Sequence, residues 1–418
     1  MRALLLRLIV LVSLLWSAGC ASLEPLLAAL TPSPAPTPRP SPTPPPTATP
    51  TATAPAQPPV LRIWLPDLFY PTAGSEAATL LGERLAEFED EHPGLTLEVR
   101  VKTLDEENSV VDLLSVTNRA APGALPDLIL LSRPQLEAAA LDGLLHPVDG
   151  LSTALEDPNW YGYAQQLAHI QNTGYGLPFA GDALVLVYYP ELGTVVSWED
   201  ILASEGHLVF PAANPQALAG LSLYASAGGE VLDPQGLPTL ERDALIRVLT
   251  LVQEGLAAEV VPASLANVTT EAQTLQLYRS GSANKGIIWI FNYQPAEDGA
   301  LAPLPGLEGA PFSYATGWVW ALAGSNPETQ QLAVELAEFL VEDPFIGEWT
   351  RLTGHLPTRP SSIEGNNRTF SAILDSAHPL PSDNVLAVLG PRMQEALVRV
   401  LNGEEPEVVA ESIVEQLQ

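Results

Sequence analysis

The sequence predicts an α/β domain built on a doubly wound sheet, and three observations carry that prediction. Short apolar strands alternate with helices of 3.6-residue periodicity from Val60 onward, the order that gives parallel strands with crossover helices. Asp127-Leu128-Ile129-Leu130-Leu131 is continuously apolar after its first residue, as a strand covered on both faces must be. The apolar fraction is 46% over 418 residues, enough for a large core.

Each element has its own local cause. Val60–Trp64 is a short strand that leads through Pro66 and Gly74 into a helix. That helix sets Ala77, Leu80, Leu81, Leu85 and Phe88 on one face and stops at His92-Pro93-Gly94. Leu95, Leu97, Val99 and Val101 alternate with polar residues, which predicts a half-buried strand. Asp105 is placed to cap the next helix, which carries Val110, Val111, Leu114 and Val116. A second block opens near Tyr175, with a strand over Ala183–Tyr189 and a helix capped by Ser197. Leu240 to Gly255 has helical periodicity, and Gly286–Phe291 reads as another buried strand. Asn326-Pro327-Glu328 starts a helix with Asn as cap and Pro in the first turn. Two more helices follow, about 391–401 and 406–417, parted by Asn402-Gly403.

The first 59 residues are of another kind. Residues 1–20 join Arg2 and Arg7 to an apolar run from Leu8 to Trp16 and the small residues Ser17-Ala18-Gly19, the pattern of a secretory signal. The sole cysteine, Cys20, follows Ala-Gly and resembles the lipidated residue of a bacterial lipoprotein, with Ser17 where that signal usually carries Leu. It excludes an intramolecular disulfide framework and a cysteine-based zinc site. Residues 31–59 hold 13 prolines and 7 threonines, too little apolar bulk to fold. At about 3.1 Å per residue, such a tether reaches roughly 90 Å.

Charge and motifs narrow the function. With 18 basic and 49 acidic side chains the net charge is −31, which argues against nucleic acid, since phosphate contacts need clustered Lys and Arg. No HExxH, GxSxG, GxxxxGK[ST] or GxGxxG motif is present, so no enzyme class is indicated. The histidines, at 92, 146, 169, 207, 355 and 378, lack metal-ligand spacing and read as surface or turn residues. No cofactor or metal is expected.

In open α/β sheets ligands sit beyond the carboxyl ends of the strands. That rule points to Trp64, Asp67, Ser132 and the first helix start at Ser75 and Glu76. Trp64 reads equally as a stacking ring or as packing, and Ser75 at least equally as a cap. Trp289 reads as core.

An ordered set of landmarks then resembles the bacterial extracellular solute-binding proteins of family 1, the maltose-binding-protein-like receptors of ABC importers. These are His92-Pro93, Pro126–Ile129, Gly143–Asp149, Gly176-Leu177-Pro178-Phe179 before Leu186–Pro190, Ser197–Asp200, Gly228-Gly229-Glu230, Tyr278–Gly281, Asn326–Glu328 and Gly354–Arg359. The resemblance covers roughly 60–418. It implies a periplasmic-binding-protein-like (type II) fold whose two lobes close like a hinge on a solute. Crossings are expected near 178–183 and 313–320. The division would be 1–20 signal, 21–59 tether, 60–180 and 314–350 first lobe, 181–313 and 351–418 second lobe. It also implies an extracytoplasmic monomer, anchored to the membrane through Cys20, that delivers its solute to an ABC permease. Asp182, in the first crossing, would reach the solute from either lobe. Phe291, Asn292 and Tyr293 follow a strand where related sugar binders place a stacking ring. Trp318 is preferred to Trp320 in the return crossing, Trp320 being read as facing the other way. Tyr224 is the one ring in the stretch from Asn214 to Ala227, which disfavours a long oligosaccharide and leaves a smaller sugar-like solute. The alternatives are a tethered sensor or adhesion module, and last a surface glycan hydrolase.

Overall fold

The computed structural model describes residues 59–69, 74–102, 109–294, 298–307, 309–363 and 368–417, all within the unit Gln57–Gln418. The signal, Cys20, almost all of the tether and the cap at Asp105 lie outside them. Strand β1 (Val60–Pro66) buries Leu61, Ile63, Trp64 and Leu65. Helix α1 (Glu76–Glu91) begins where Ser75 Oγ accepts the Ala78 amide at 3.2 Å, and it buries Ala77, Leu81, Leu85 and Phe88. Each of the three large side chains contributes about 1.5–3 kcal/mol on leaving water. Strand β2 (Thr96–Lys102) runs parallel to β1 at the sheet edge, so Leu97 and Val99 are covered only in part. Helix α2 (Val110–Ala120) is capped by Ser109, four residues beyond Asp105. Strand β3 (Leu128–Ser132) is the buried central strand the apolar run requires. Helices α3 (Arg133–Leu141) and α4 (Gly162–Leu167) follow.

Strand β4 (Gly176–Tyr188) is a single 13-residue strand, starting seven residues before the expected Ala183. Gly176, Pro178 and Gly181 suggest a loop in sequence. The ladder accommodates the proline because the pairing with the later strand 313–322 shifts register there, and a bulge tolerates a missing donor. Next come α5 (Trp198–Ala203), with a Ser197–Asp200 capping box, β5 (Leu208–Val209), α6 (Leu218–Ser226), α7 (Arg242–Ala257) and α8 (Glu271–Arg279). Strand β6 (Lys285–Trp289) stops two residues before the expected Phe291, in a 3₁₀ turn over Ile290–Asn292. Strands β7 (Ala300–Pro303) and β8 (Ser313–Leu322) precede α9 (Pro327–Leu340), α10 (Asp343–Thr353), α11 (Arg368–Asp375) and β9 (Ala377–Pro379). Helix α12 (Asp383–Leu401) starts eight residues before Pro391, the expected first residue, and α13 (Pro406–Glu415) closes the chain. An internal proline forfeits one helical hydrogen bond. The buried face from Val385 to Leu401 outweighs that loss.

One nine-stranded sheet runs β2-β1-β3-β8-β4-β6-β5, with β9 beside β8 and β7 beside β4. The first part of β4, to Ala183, pairs with β8, and Leu184–Tyr188 pair with β6. On one side of Asp182 lies the carboxyl end of β3, where Ser132 stands opposite Trp318; on the other lies that of β6, where Trp289 stands opposite Leu184. Both sets of strand ends converge on one stretch of the crossing strands.

Candidate functional site

The site starts from register. Asp182 stands opposite Thr316 on β8. On its other edge Gly181 exchanges two 2.8 Å backbone hydrogen bonds with Leu356, in an antiparallel bridge. That bridge sets His355 opposite Asp182, so Thr316, Asp182 and His355 form one row across the crossing, and residues so paired share a face.

The 3₁₀ turn after β6 closes over this row. The Phe291 amide donates to Asp182 Oδ1 at 3.2 Å. Glu271, first in α8, accepts the Trp289 amide at 2.6 Å and Asn292 Nδ2 at 3.1 Å. Burial pushes the Asp182 carboxyl up to about 8, and the charge of Glu271 adds to the rise against the backbone donors. Burial raises Glu271 as well.

Rings wall the row. Phe69, just after β1, meets Trp318 edge-on at 4.6 Å and stacks on Trp349 at 5.3 Å between centroids. His355 lies 5.3 Å from Phe69 and 4.8 Å from Phe291. It is 4% exposed, so the expectation of a surface or turn histidine is corrected: burial holds its imidazole down to about 4, and it is neutral at pH 7. Among the described residues its Nδ1 has no hydrogen-bond partner.

Two concavities flank the turn. The larger, about 850 Å³, is lined by Ile290, Tyr293, Thr350, Arg351, His355 and Phe370 among others. The smaller, about 180 Å³, includes Asn214, Gln216, Glu271 and Trp289 in its walls.

The sequence-derived candidates divide accordingly. Asp182, Phe291, Asn292, Tyr293 and Trp318 come together here and are all partly exposed. The Tyr293 hydroxyl donates to Gly299 O at 2.8 Å, which fixes the ring at the cavity wall. Trp320 does not turn away: it is buried and reaches the same rings through Phe179, at 5.4 Å. Trp64 is 2% exposed beneath Lys102, whose Nζ lies 4.2 Å from the ring centroid, so its ring offers no free face. Tyr224 is wholly buried, its hydroxyl donating to Glu230 O and accepting the Glu241 amide, and it too presents no ring. Asp67 is exposed and accepts the Leu68 amide, Ser75 caps α1, and Glu76 is exposed in its first turn. Ser132 forms a capping box with Gln135. Sequence reasoning missed Glu271, Trp289, His355, Asn214 and Gln216. Trp289 was within reach, because it ends a strand as Trp64 does. Glu271 looked like an ordinary acidic residue in a first helical turn.

Against known proteins, a family model for bacterial extracellular solute-binding proteins matches residues 83–372. Among curated protein sequences none matches. The chain is similar in fold to a cyclo/maltodextrin-binding protein complexed with maltotetraose, with TM-score 0.69 and 20% identity over 87% of this chain and 98% of that one. It is also similar to MalE from Listeria monocytogenes in complex with maltose, with TM-score 0.68 and 15% identity over 87% and 97%. A third is an ABC transporter solute-binding protein from Thermotoga lettingae bound with alpha-D-tagatose, with TM-score 0.60 and 19% identity over 86% and 98%.

Proposed function

The chain belongs to the bacterial extracellular solute-binding protein family, and from that premise we propose that it captures a small sugar-like solute at the Asp182 row by closure of two lobes. The observation that carries this reading is the convergence of strand ends on the β4–β8 crossing, with a cavity of about 850 Å³ beside it. The similar structures hold maltose, maltotetraose and tagatose, which supports a hydroxylated ligand. Partly exposed Trp318, Trp289, Phe291 and Tyr293 can take apolar sugar faces, while Asp182 and Glu271 accept hydroxyl protons.

The first lobe would hold 60–180 and the return of the chain from 314. We extend that return past 350 to about 363, because Asn159 donates to Ser361 and Arg359 Nη1 pairs with Asp157 at 3.0 Å. The second lobe would hold 181–313 and the C-terminal helices. A solute moves an open–closed equilibrium only through contacts that differ between the states, so it must touch both lobes. The role is binding and delivery to an ABC permease, with no turnover. The protein would act as a monomer outside the cytoplasm, tethered through a lipid on Cys20.

Scattering of residues 59–418 with and without a sugar found by thermal-shift screening tests the reading. At about 100 times its dissociation constant a ligand stabilises the folded state by roughly 2.7 kcal/mol, so a binder is plain in the screen. A smaller radius of gyration with the sugar is expected; binding without compaction counts against hinge closure. For the anchor, Cys20→Ser should move the full chain from the membrane fraction to the soluble one, and retention on membranes would refute it.

A further inference from the structure

Two strand ends point at each other along one edge of β8. Strand β3 runs antiparallel to β8 and ends at Ser132, opposite Trp318. Strand β9 runs parallel to β8 and ends at Pro379, opposite Ala315, and the Leu380 amide donates to Ala315 O at 2.9 Å. Strand β4 occupies the other edge of β8, so β3 and β9 share this one and meet head to head. The step from Ala315 to Trp318 leaves a gap of about 10 Å between them at the rise of a strand. Thr316, a member of the Asp182 row, lies in that interval.

Each strand end is followed by a helix, and the two helices belong to different lobes. Ser132 leads directly into α3, whose first residue is Arg133. The chain after Pro379 enters α12 at Asp383, and α12 packs on α6 and α7 of the second lobe. A cation of the first lobe and an anion of the second therefore flank one gap. Arg133 is poorly served where it stands. A positive charge in a first helical turn opposes the helix dipole. Its Nη1 donates to Glu137 at 2.9 Å, its Nη2 reaches only His169 O at 3.5 Å, and its Nε, though buried, has no partner among the described residues. Burial lowers the guanidinium from its usual range, and the charges of Glu137 and Asp383 work against that fall. Asp383 is exposed, and the ion pair that Arg133 makes is with Glu137.

We propose that Arg133 and Asp383 are the two halves of an electrostatic latch, which pair across the gap when the lobes close and bias the protein toward its closed form even without solute. This rests on the hinge-closure reading and adds to it the contact that holds the closed form. A pair made in one state only shifts the equilibrium toward that state, as a solute touching both lobes does. Closure also withdraws both charges further from water, where salt screens them less.

A double-mutant cycle on the empty protein tests the latch. Residues 59–418 contain no cysteine, so nitroxides attached through Val116→Cys on α2 and Val408→Cys on α13, both exposed, report one distance between the lobes. The otherwise unchanged protein should show a shorter component beside a longer one. Arg133→Gln and Asp383→Asn, checked for folding by thermal unfolding, should each cut the shorter component threefold or more. The double variant should lose no more than the worse single, the signature of two residues acting through each other. Unchanged distances in the singles overturn the latch, as do losses that add in the double. Sugars from the thermal-shift screen separate the two readings. A sugar that shortens the distance equally in the unchanged protein and the double variant keeps hinge closure and removes the latch. A coupled cycle in a protein that no sugar compacts keeps the latch and removes the sugar.

Discussion

Trp349→Ala should lower the stability of residues 59–418 by about 3–5 kcal/mol, the range for truncating a large buried aromatic side chain. Trp349 is fully buried on α10, stacked against Phe69 at 5.3 Å, tilted against Phe179 at 4.5 Å and near His355 at 5.9 Å. Through these rings one side chain supports the floor of the candidate site from the turn after β1, from β4 and from the 354–358 segment together. Removing it leaves a void the surrounding rings can fill only in part, so the loss of contacts adds to the loss of burial. Trp349→Phe keeps most of the ring and discards an indole nitrogen that has no hydrogen-bond partner among the described residues, so it should cost far less. Urea denaturation of the two variants checks both statements. A midpoint for Trp349→Ala within about 1 kcal/mol of the parent would mean that the rings repack, and that the platform is not what holds the site.

The second large effect is a pH dependence, and its sign follows from Asp182. An aspartate in an unfolded chain titrates near 3.9, whereas burial raises Asp182 in the folded protein to about 8. Between about pH 4 and 8 the folded state therefore keeps a proton that the unfolded state has lost. Stability from this group is fully present below the lower value and is lost as pH rises toward the upper one, at up to about 1.4 kcal/mol per pH unit. Asp182→Asn carries no such proton. Its stability relative to the parent should climb steadily from pH 4 to pH 8, while the Phe291 amide keeps an oxygen to bond. Glu271 is raised in the same direction and steepens the parent's slope. Paired denaturation curves at pH 4, 6 and 8 read the difference directly, and a gap that stays constant across that range would remove the raised carboxyl.

How much of this is legible in sequence depends on how local each cause is. Leu128–Leu131 declares a central strand because continuous burial is written in consecutive residues, and Asn326-Pro327 declares a helix start because capping is local. The extent of β4 was hidden: Pro178 and two glycines look like a loop until a partner strand supplies the register shift that absorbs them. The extent of α12 was hidden by a proline that the buried face overrides. The site is less legible still. Asp182 stands out in sequence by its place in the expected crossing, but the pairing of Gly181 with Leu356, which brings His355 to it, joins residues far apart in the chain. His355 beside Leu356-Pro357 looks like a turn histidine, and nothing nearby in sequence announces the rings that enclose it. Trp64 and Tyr224 show the reverse difficulty, since a ring at a strand end or in a helix looks the same in sequence whether covered or free.

The lysines have a practical consequence. The chain has two, Lys102 and Lys285. Lys285 is 0% exposed, its ammonium enclosed by Ser204 Oγ at 2.8 Å, Glu205 O at 2.9 Å and Asn284 Oδ1 at 3.1 Å, and burial lowers it to about 8. Lys102 is partly exposed at the end of β2, over the Trp64 ring. Acylating reagents are thereby steered to one side chain, and a dye placed there sits against an indole able to quench it. The fold supplies a single-position optical handle without any engineered cysteine.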